Sequence, residues 1–216
     1  MRLALFDFDG TLCPGDSIVP FLRFCIRAGA APRAQWLKAA AGYIGQRLRL
    51  ISVSRAKAMT LSFIRGRRSS EMDSLARRFF REKIMPRCHA EGIRELERLR
   101  REGTGTVVVS ASPEVYMRVL PEFLPVDYLL ATPCLTDHEG RYTGEVGANC
   151  KGQEKVRRIA STWPEKPEIT VAYGDSRSDL PMLAMAEHAY LVNAKSALAS
   201  ASGAESVTWR EASEPC

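Results

Sequence analysis

The 216-residue sequence has no C-x-x-C pair among its six cysteines (Cys13, Cys25, Cys88, Cys134, Cys150 and Cys216). That removes the usual zinc and thioredoxin-like spacings and points to reduced, buried thiols in a cytoplasmic protein. It also lacks a long uncharged apolar run. Even the Ala-rich region 28–45 carries Arg33 and Lys38, so no membrane-spanning helix is expected. The apolar start, Met1 to Phe8, is broken by Asp7 and Asp9 and lacks a small-residue cleavage site, so no secretion signal is expected either. Repeats and low-complexity tracts are missing. The sharpest shortage is of acid. From Arg23 to Arg87 there are 16 Lys or Arg against only Glu71, Asp73 and Glu82, a net +13 in a chain whose total is +6, so the remainder is acidic at −7.

What is present is a globular composition, 45% apolar and 26% charged, enough for one large core or two small ones. Short apolar runs at Leu3–Phe8, Thr106–Ser110, Asp127–Ala131, Ile169–Tyr173 and Ala189–Val192 read as strands of a buried parallel sheet. Helices are expected at Glu91–Arg101, Pro113–Leu120, Lys151–Ser161 and Asp179–Glu187, with Pro113 and Pro181 in first turns. Leu135–Val146 reads as a β-hairpin appended to the sheet, and a short strand with a loose tail ends the chain near Val207–Trp209. The basic window shows only helical periodicity, in four pieces near 17–29, 33–51, 54–65 and 69–87. The expected layout is an α/β core of residues 1–12 and 88–216, Rossmann-like, with an all-helical cap, 13–87, inserted after the first strand.

Four strand ends carry candidate chemistry. Asp7-Phe8-Asp9-Gly10-Thr11 places two carboxylates two residues apart, a repulsive pair that a divalent cation such as Mg²⁺ would neutralise. Val107–Ser110 followed by Ala111-Ser112-Pro113 offers a hydroxyl and an amide at a helix N-terminus, suited to an anion, with Ser112 as the helix cap. Lys151, at the start of a helix, opposes the macrodipole unless an anion sits nearby, whereas Lys155 one turn later is assigned to a solvated face. Gly174-Asp175-Ser176-Arg177-Ser178-Asp179 is again turn, acids, helix. Asp175 can complete a metal site begun at Asp7, and Asp179 can support Lys151 or a bound water. In open parallel sheets such groups meet at the carboxyl edge.

In this order the motifs resemble the haloacid dehalogenase (HAD) superfamily, specifically its phosphoserine-phosphatase-like branch with a helical cap, over almost the whole chain. The matching positions are Asp7, Asp9, Thr11, Ser110, Lys151, Asp175 and Asp179. The resemblance implies a Mg²⁺-dependent phosphomonoester hydrolase. Asp7 would be phosphorylated and Asp9 would act as acid, then base. Asp7, Asp175 and the Asp9 carbonyl would hold the metal, while Thr11, Ser110, the Ala111 amide and Lys151 would bind the phosphoryl group, with Asp179 in support.

Gly10, Ala111-Ser112 and Ser178 depart from the phosphoserine phosphatase pattern, which has D-x-D-S-T, Ser-Gly-Gly and a final-loop Asn. Asp16 stands where that branch often reads the substrate, although a helix cap explains it equally. On the helix 33–51, Leu37, Ala41, Ile44, Leu48 and Ile51 form one stripe between Trp36, Tyr43 and Arg47 on one flank and Lys38 and Arg49 on the other. Such a helix either packs on its neighbours or rests on an anionic membrane at the inner face. A lipid phosphate such as phosphatidylglycerophosphate therefore stands beside small phosphate esters as a substrate. No recognition motif for nucleic acid is present. A non-catalytic phospho-ligand or membrane-surface protein retaining the fold, and a phospho-receiver domain, are the competing readings. The receiver lacks a long insertion after its first strand.

Overall fold

The computed structural model describes residues 1–210. Six parallel strands form one sheet in the order β3-β2-β1-β6-β7-β8: β1 (Arg2–Phe6), β2 (Gly105–Pro113), β3 (Tyr128–Thr132), β6 (Glu168–Gly174), β7 (His188–Val192) and β8 (Glu205–Val207). Its central strand is apolar on both faces because both are covered. Ala4 and Phe6 join one core cluster, and Leu3 and Leu5 join the other. On the second face these meet Ile159 of α7 (Gln153–Thr162), Trp163 directly after it, and Met182 and Leu183 of α8 (Leu180–Leu183). Progress along the chain reverses at β1. The chain builds β2 and β3 on one side and β6 to β8 on the other, and a crevice opens beyond the carboxyl ends of β1 and β6.

Between β1 and β2 lie α1 (Ile18–Arg27), α2 (Gln35–Arg47), α3 (Val53–Thr60), α4 (Ser69–Phe79) and α5 (Ala90–Arg101). α4 runs on through a π turn, 80–84, and a 3-10 turn, 85–87. α1 and α4 share the core of the main sheet. Phe21, Phe24, Phe79 and Phe80 pack with Phe8 and with Tyr116 of α6 (Glu114–Met117). α2 and α3 form an outer pair. Gly42 makes that pairing close, since a β-carbon there would lie 3.1 Å from the Ala56 carbonyl, and Gln35 Nε2 donates to the Met59 and Thr60 carbonyls at 2.7 and 2.9 Å. The stripe read from the sequence consequently faces away from α3. Leu37, Ile44 and Leu48 are 75%, 55% and 64% exposed, so the expectation that it packs on neighbouring helices does not hold.

Other differences are local. The hairpin β4 (Cys134–Thr136) and β5 (Tyr142–Val146) is a separate two-stranded sheet, not an extension of the main one. It meets the helical segment instead: Gly66 and Arg67 exchange backbone hydrogen bonds with Tyr142 at 2.8 and 2.9 Å. The helices expected at 113–120 and 179–187 shorten to α6 and α8, and α9 (Ser196–Ser202) precedes β8. The five described cysteines are free and buried. Cys216 and the loose tail lie outside the described residues. Among the described residues no helix is long and apolar enough to cross a membrane.

Candidate active site

β1 ends at Phe6, so the turn rather than strand alternation aims the two acids. The Asp7 amide donates to the Tyr173 carbonyl at 2.9 Å, placing its side chain between β1 and β6. The chain then folds tightly, Leu12 and Cys13 amides both donating to the Phe8 carbonyl at 3.0 Å, with Gly10 at φ +89°. The two carboxylates part company here. Asp7 Oδ1 accepts from Lys155 Nζ at 2.6 Å, and the same ammonium lies 2.8 Å from Asp179 Oδ1. Asp9 Oδ2 instead accepts from Ser17 Oγ at 3.0 Å and from Ser112 Oγ, and those hydroxyls also bond Tyr116. The other oxygen of Asp9 is buried and unpartnered.

Lys155 corrects the expectation for the lysines. It is 1% exposed, not solvated, and Asp179 supports it rather than Lys151. α7 begins at Gln153, after Gly152 at φ +61°, so Lys151 precedes the helix; it is exposed and lines the cavity. A signal for Lys155 existed: Lys155, Ile159 and Trp163 are spaced by four, and all three are buried on one face. Ser112 is likewise not a helix cap. β2 continues through Pro113, so Ser110 and Ala111 sit on its final residues, not at a helix N-terminus, and the helix-dipole argument for them fails. Ser110 Oγ accepts from the Ser112 amide at 3.0 Å. Thr11 is fully buried, its amide directed at the Phe8 carbonyl and its hydroxyl unpartnered, and it is not among the residues that line the cavity. Asp16 Oδ1 accepts from the Ile18 amide at 2.9 Å, as a cap does, and also lines the cavity.

That cavity, about 350 Å³, is bounded by Asp7, Asp9, Ser110, Lys151 and Asp175 among others. Its charges are held far from their ordinary behaviour. Burial pushes Asp9 up to about 7, Asp16 and Asp7 adding to the rise against the Ser112 and Ser17 hydrogen bonds. Burial, then the charges of Asp7 and Asp179, push Asp175 up to about 7 against Lys155. Asp7 is also raised, burial outweighing Lys155. Burial works against the Lys155 ammonium, but Asp7 and Asp179 outweigh it and keep the group charged. Burial similarly opposes ionisation of Asp179, yet Lys155 and Ser176 hold its carboxyl below the usual range.

Ligand atoms of Asp7, Asp175 and Asp179 lie within 4.8 Å of one another. Asp7 and Asp179 share the single Lys155 ammonium, so three clustered carboxylates outnumber the positive charge beside them, and Asp7 and Asp175 offer oxygen donors that fit a hard divalent cation. The Asp9 carboxylate, turned toward Ser17 and Ser112, lies outside this group, leaving only its backbone carbonyl for the metal role expected of it.

A parallel sheet with acids at its carboxyl edge, a buried lysine between two of them and a long helical insertion after the first strand define a hydrolase class. Residues 4–184 match the haloacid dehalogenase-like hydrolase family, and the chain belongs to it. Among characterised sequences it is 31% identical over 192 residues to protein CicA of Caulobacter vibrioides, covering 86% of this chain and 83% of that one. The crystal structure of a protein of unknown function from Bordetella pertussis Tohama I matches with a TM-score of 0.83 at 23% identity, covering 95% of this chain and 97% of that one. A phosphoserine phosphatase solved as a phospho-aspartyl intermediate analogue has the same fold, with a TM-score of 0.58 at 22% identity, covering 94% and 91%.

Proposed function

We propose that the protein hydrolyses phosphomonoesters with Mg²⁺ through an aspartyl-phosphate at Asp7. The observation that carries this reading is the Asp7–Lys155–Asp179 arrangement facing Asp175 across one cavity, with a separately held Asp9 beside it. An Asp7 carboxylate oxygen forms the bond to phosphorus as the ester oxygen departs. Asp9, raised to about 7 by its surroundings and so able both to carry and to release a proton near neutral pH, gives that oxygen its proton. The Asp9 carboxylate then takes a proton from a water whose oxygen attacks the same phosphorus, restoring Asp7 and releasing inorganic phosphate. Ser17 and Ser112 hold Asp9 in place, Lys155 and Asp179 hold Asp7, and Ser110 and Lys151 face the phosphoryl oxygens. Mg²⁺ on Asp7, Asp175 and the Asp9 carbonyl would supply positive charge that lets an anionic ester approach a carboxylate. Phosphate release from a panel of small esters, dependent on Mg²⁺, tests this. Binding of phosphate esters with no turnover of any would favour a non-catalytic phospho-ligand protein instead.

A lipid phosphate is the second substrate reading, carried by the exposed α2 face. Leu37, Ile44 and Leu48 stand in water flanked by Arg33, Lys38, Arg47 and Arg49, the pattern of a helix that lies on an anionic bilayer. Sedimentation with phosphatidylglycerol vesicles at low salt, weakened by high salt and lost in Leu37→Glu/Ile44→Glu, is the expected result. No sedimentation at low salt would end the membrane reading.

A further inference from the structure

A second cavity, about 520 Å³, opens off the proposed phosphoryl site; Asp16, Ala111 and Lys151 line both. Their chemistry differs. The first is walled by carboxylates, hydroxyls and lysines, while the second is walled by Leu22 of α1, Trp36 and Tyr43 of α2, and Val53 and Ala56 of α3. Leu22 is fully buried, whereas Trp36, Val53 and Tyr43 are 37%, 39% and 64% exposed. Large apolar groups left in water along a groove that leads to reacting carboxylates call for an occupant.

Near the junction Lys57, Asn149 and the Ala111 carbonyl are already paired. Lys57 Nζ donates to the Ala111 carbonyl and, at 2.6 Å, to Asn149 Oδ1, and Thr132 Oγ1 donates to the Ala111 carbonyl at 2.6 Å. Further along, Thr60 Oγ1 is spent on the Ala56 carbonyl at 3.0 Å. The groove thus offers mainly apolar surface, in a volume within the range that holds small organic groups, roughly 300–1,000 Å³.

We infer that this groove receives the alcohol half of the substrate, and that this alcohol carries an apolar body, an alkyl chain or a ring, extending from the phosphate-bearing end. The inference rests on the phosphatase reading and names its substrate class. The phosphate is held by Ser110 and Lys151. The chain runs past Asp16 and Ala111 between Trp36 and Val53, and its burial away from the phosphorus supplies binding that raises kcat/KM.

The test is the series of n-alkyl phosphates from methyl to octyl, assayed in soluble form with Mg²⁺, beside calorimetric titration of methylphosphonate and octylphosphonate as unreactive probes. The expected rise in kcat/KM is about two- to fourfold per methylene, the upper figure corresponding to full burial of each group. Octylphosphonate should bind more tightly than methylphosphonate. Ala40→Glu places a carboxylate on an exposed lining position of the groove and should flatten both trends while leaving methyl phosphate turnover unchanged. A flat series in a wild-type protein that hydrolyses methyl phosphate overturns the groove assignment and leaves the phosphatase reading standing. A rise that Ala40→Glu does not alter overturns it too. So does turnover of vesicle-embedded lysophosphatidic acid with octyl phosphate no better than methyl phosphate, because the bilayer and not the groove would then select. Hydrolysis of no ester, with neither phosphonate bound, overturns the phosphatase reading and the inference with it.

Discussion

Lys155 Nζ sits 2.6 Å from Asp7 Oδ1, although 148 positions separate the two residues in sequence. The contact ties the end of β1 to α7, and the 2.8 Å approach of the same ammonium to Asp179 brings in the loop after β6. Three distant segments are thereby fixed around one positive charge that is 1% exposed. A buried ion pair is tolerated when each member is satisfied and becomes costly when one is removed.

The two lysines should therefore separate cleanly on substitution. Lys155→Met strands Asp7 and Asp179 without their cation and is expected to destabilise the protein by about 3–5 kcal/mol. Lys151→Met, at an exposed loop position, should stay within about 0.5 kcal/mol of wild type and act through a raised KM for phosphate esters. Urea unfolding in the absence of divalent metal reads the first, and steady-state kinetics the second. Equal unfolding midpoints for Lys155→Met and wild type would contradict the pairing.

In this chain Gly10 should support metal binding by leaving room for Asp175. Its φ of +89° is strained for any L side chain, and a β-carbon there would come within 2.3 Å of Asp175 Oδ2. Gly10→Ala must move Asp175 off its position, so Mg²⁺ affinity measured by titration calorimetry should fall by about tenfold or more, as for loss of an orienting contact to a metal ligand. Unchanged affinity would show that Asp175 is not a ligand.

Lys57 sets a pH signature. Burial, the leading cause, lowers its ammonium from 10.5 to about 8. Between pH 8 and 10.5 the unfolded chain then holds a proton that the folded chain does not, so the folded state gains stability as pH rises through that window. Lys57→Met lacks this gain. The difference in unfolding free energy, variant minus wild type, should therefore fall steadily between those limits. Parallel pH dependences would contradict the shifted titration.

The fold was legible where pattern and burial agree. The runs 3–8, 106–110 and 169–173 were readable as strands because a sheet covered on both faces needs unbroken apolar residues, as Leu3 to Phe6 show. The acids at Asp7, Asp9, Asp175 and Asp179 stood out for the opposite reason, being charges where a buried strand ends. Lys155 was hidden among the polar residues Gln153, Glu154, Arg157 and Arg158; only the i+4 spacing to Ile159 marks its face, and a helix assumed to begin at Lys151 put the charge at the wrong lysine. Ser112 was read through local capping and Ser17 was not singled out, whereas both hydroxyls converge on Asp9, Ser112 from 103 positions away, a contact no local pattern contains. For α2, the long side chains suggested the packing face, but Gly42 and Gln35 permit the closer approach and turned the leucines outward.

The most direct test of the central claim is chemical trapping of Asp7. Wild-type protein mixed with Mg²⁺ and a turned-over phosphate ester, then quenched with borohydride, should yield a peptide in which residue 7 alone has been reduced to homoserine, because an acyl-phosphate is reduced and a free carboxylate is not. Reduction at Asp9 or Asp175, or release of phosphate with residue 7 recovered as unmodified aspartate throughout, would contradict the account.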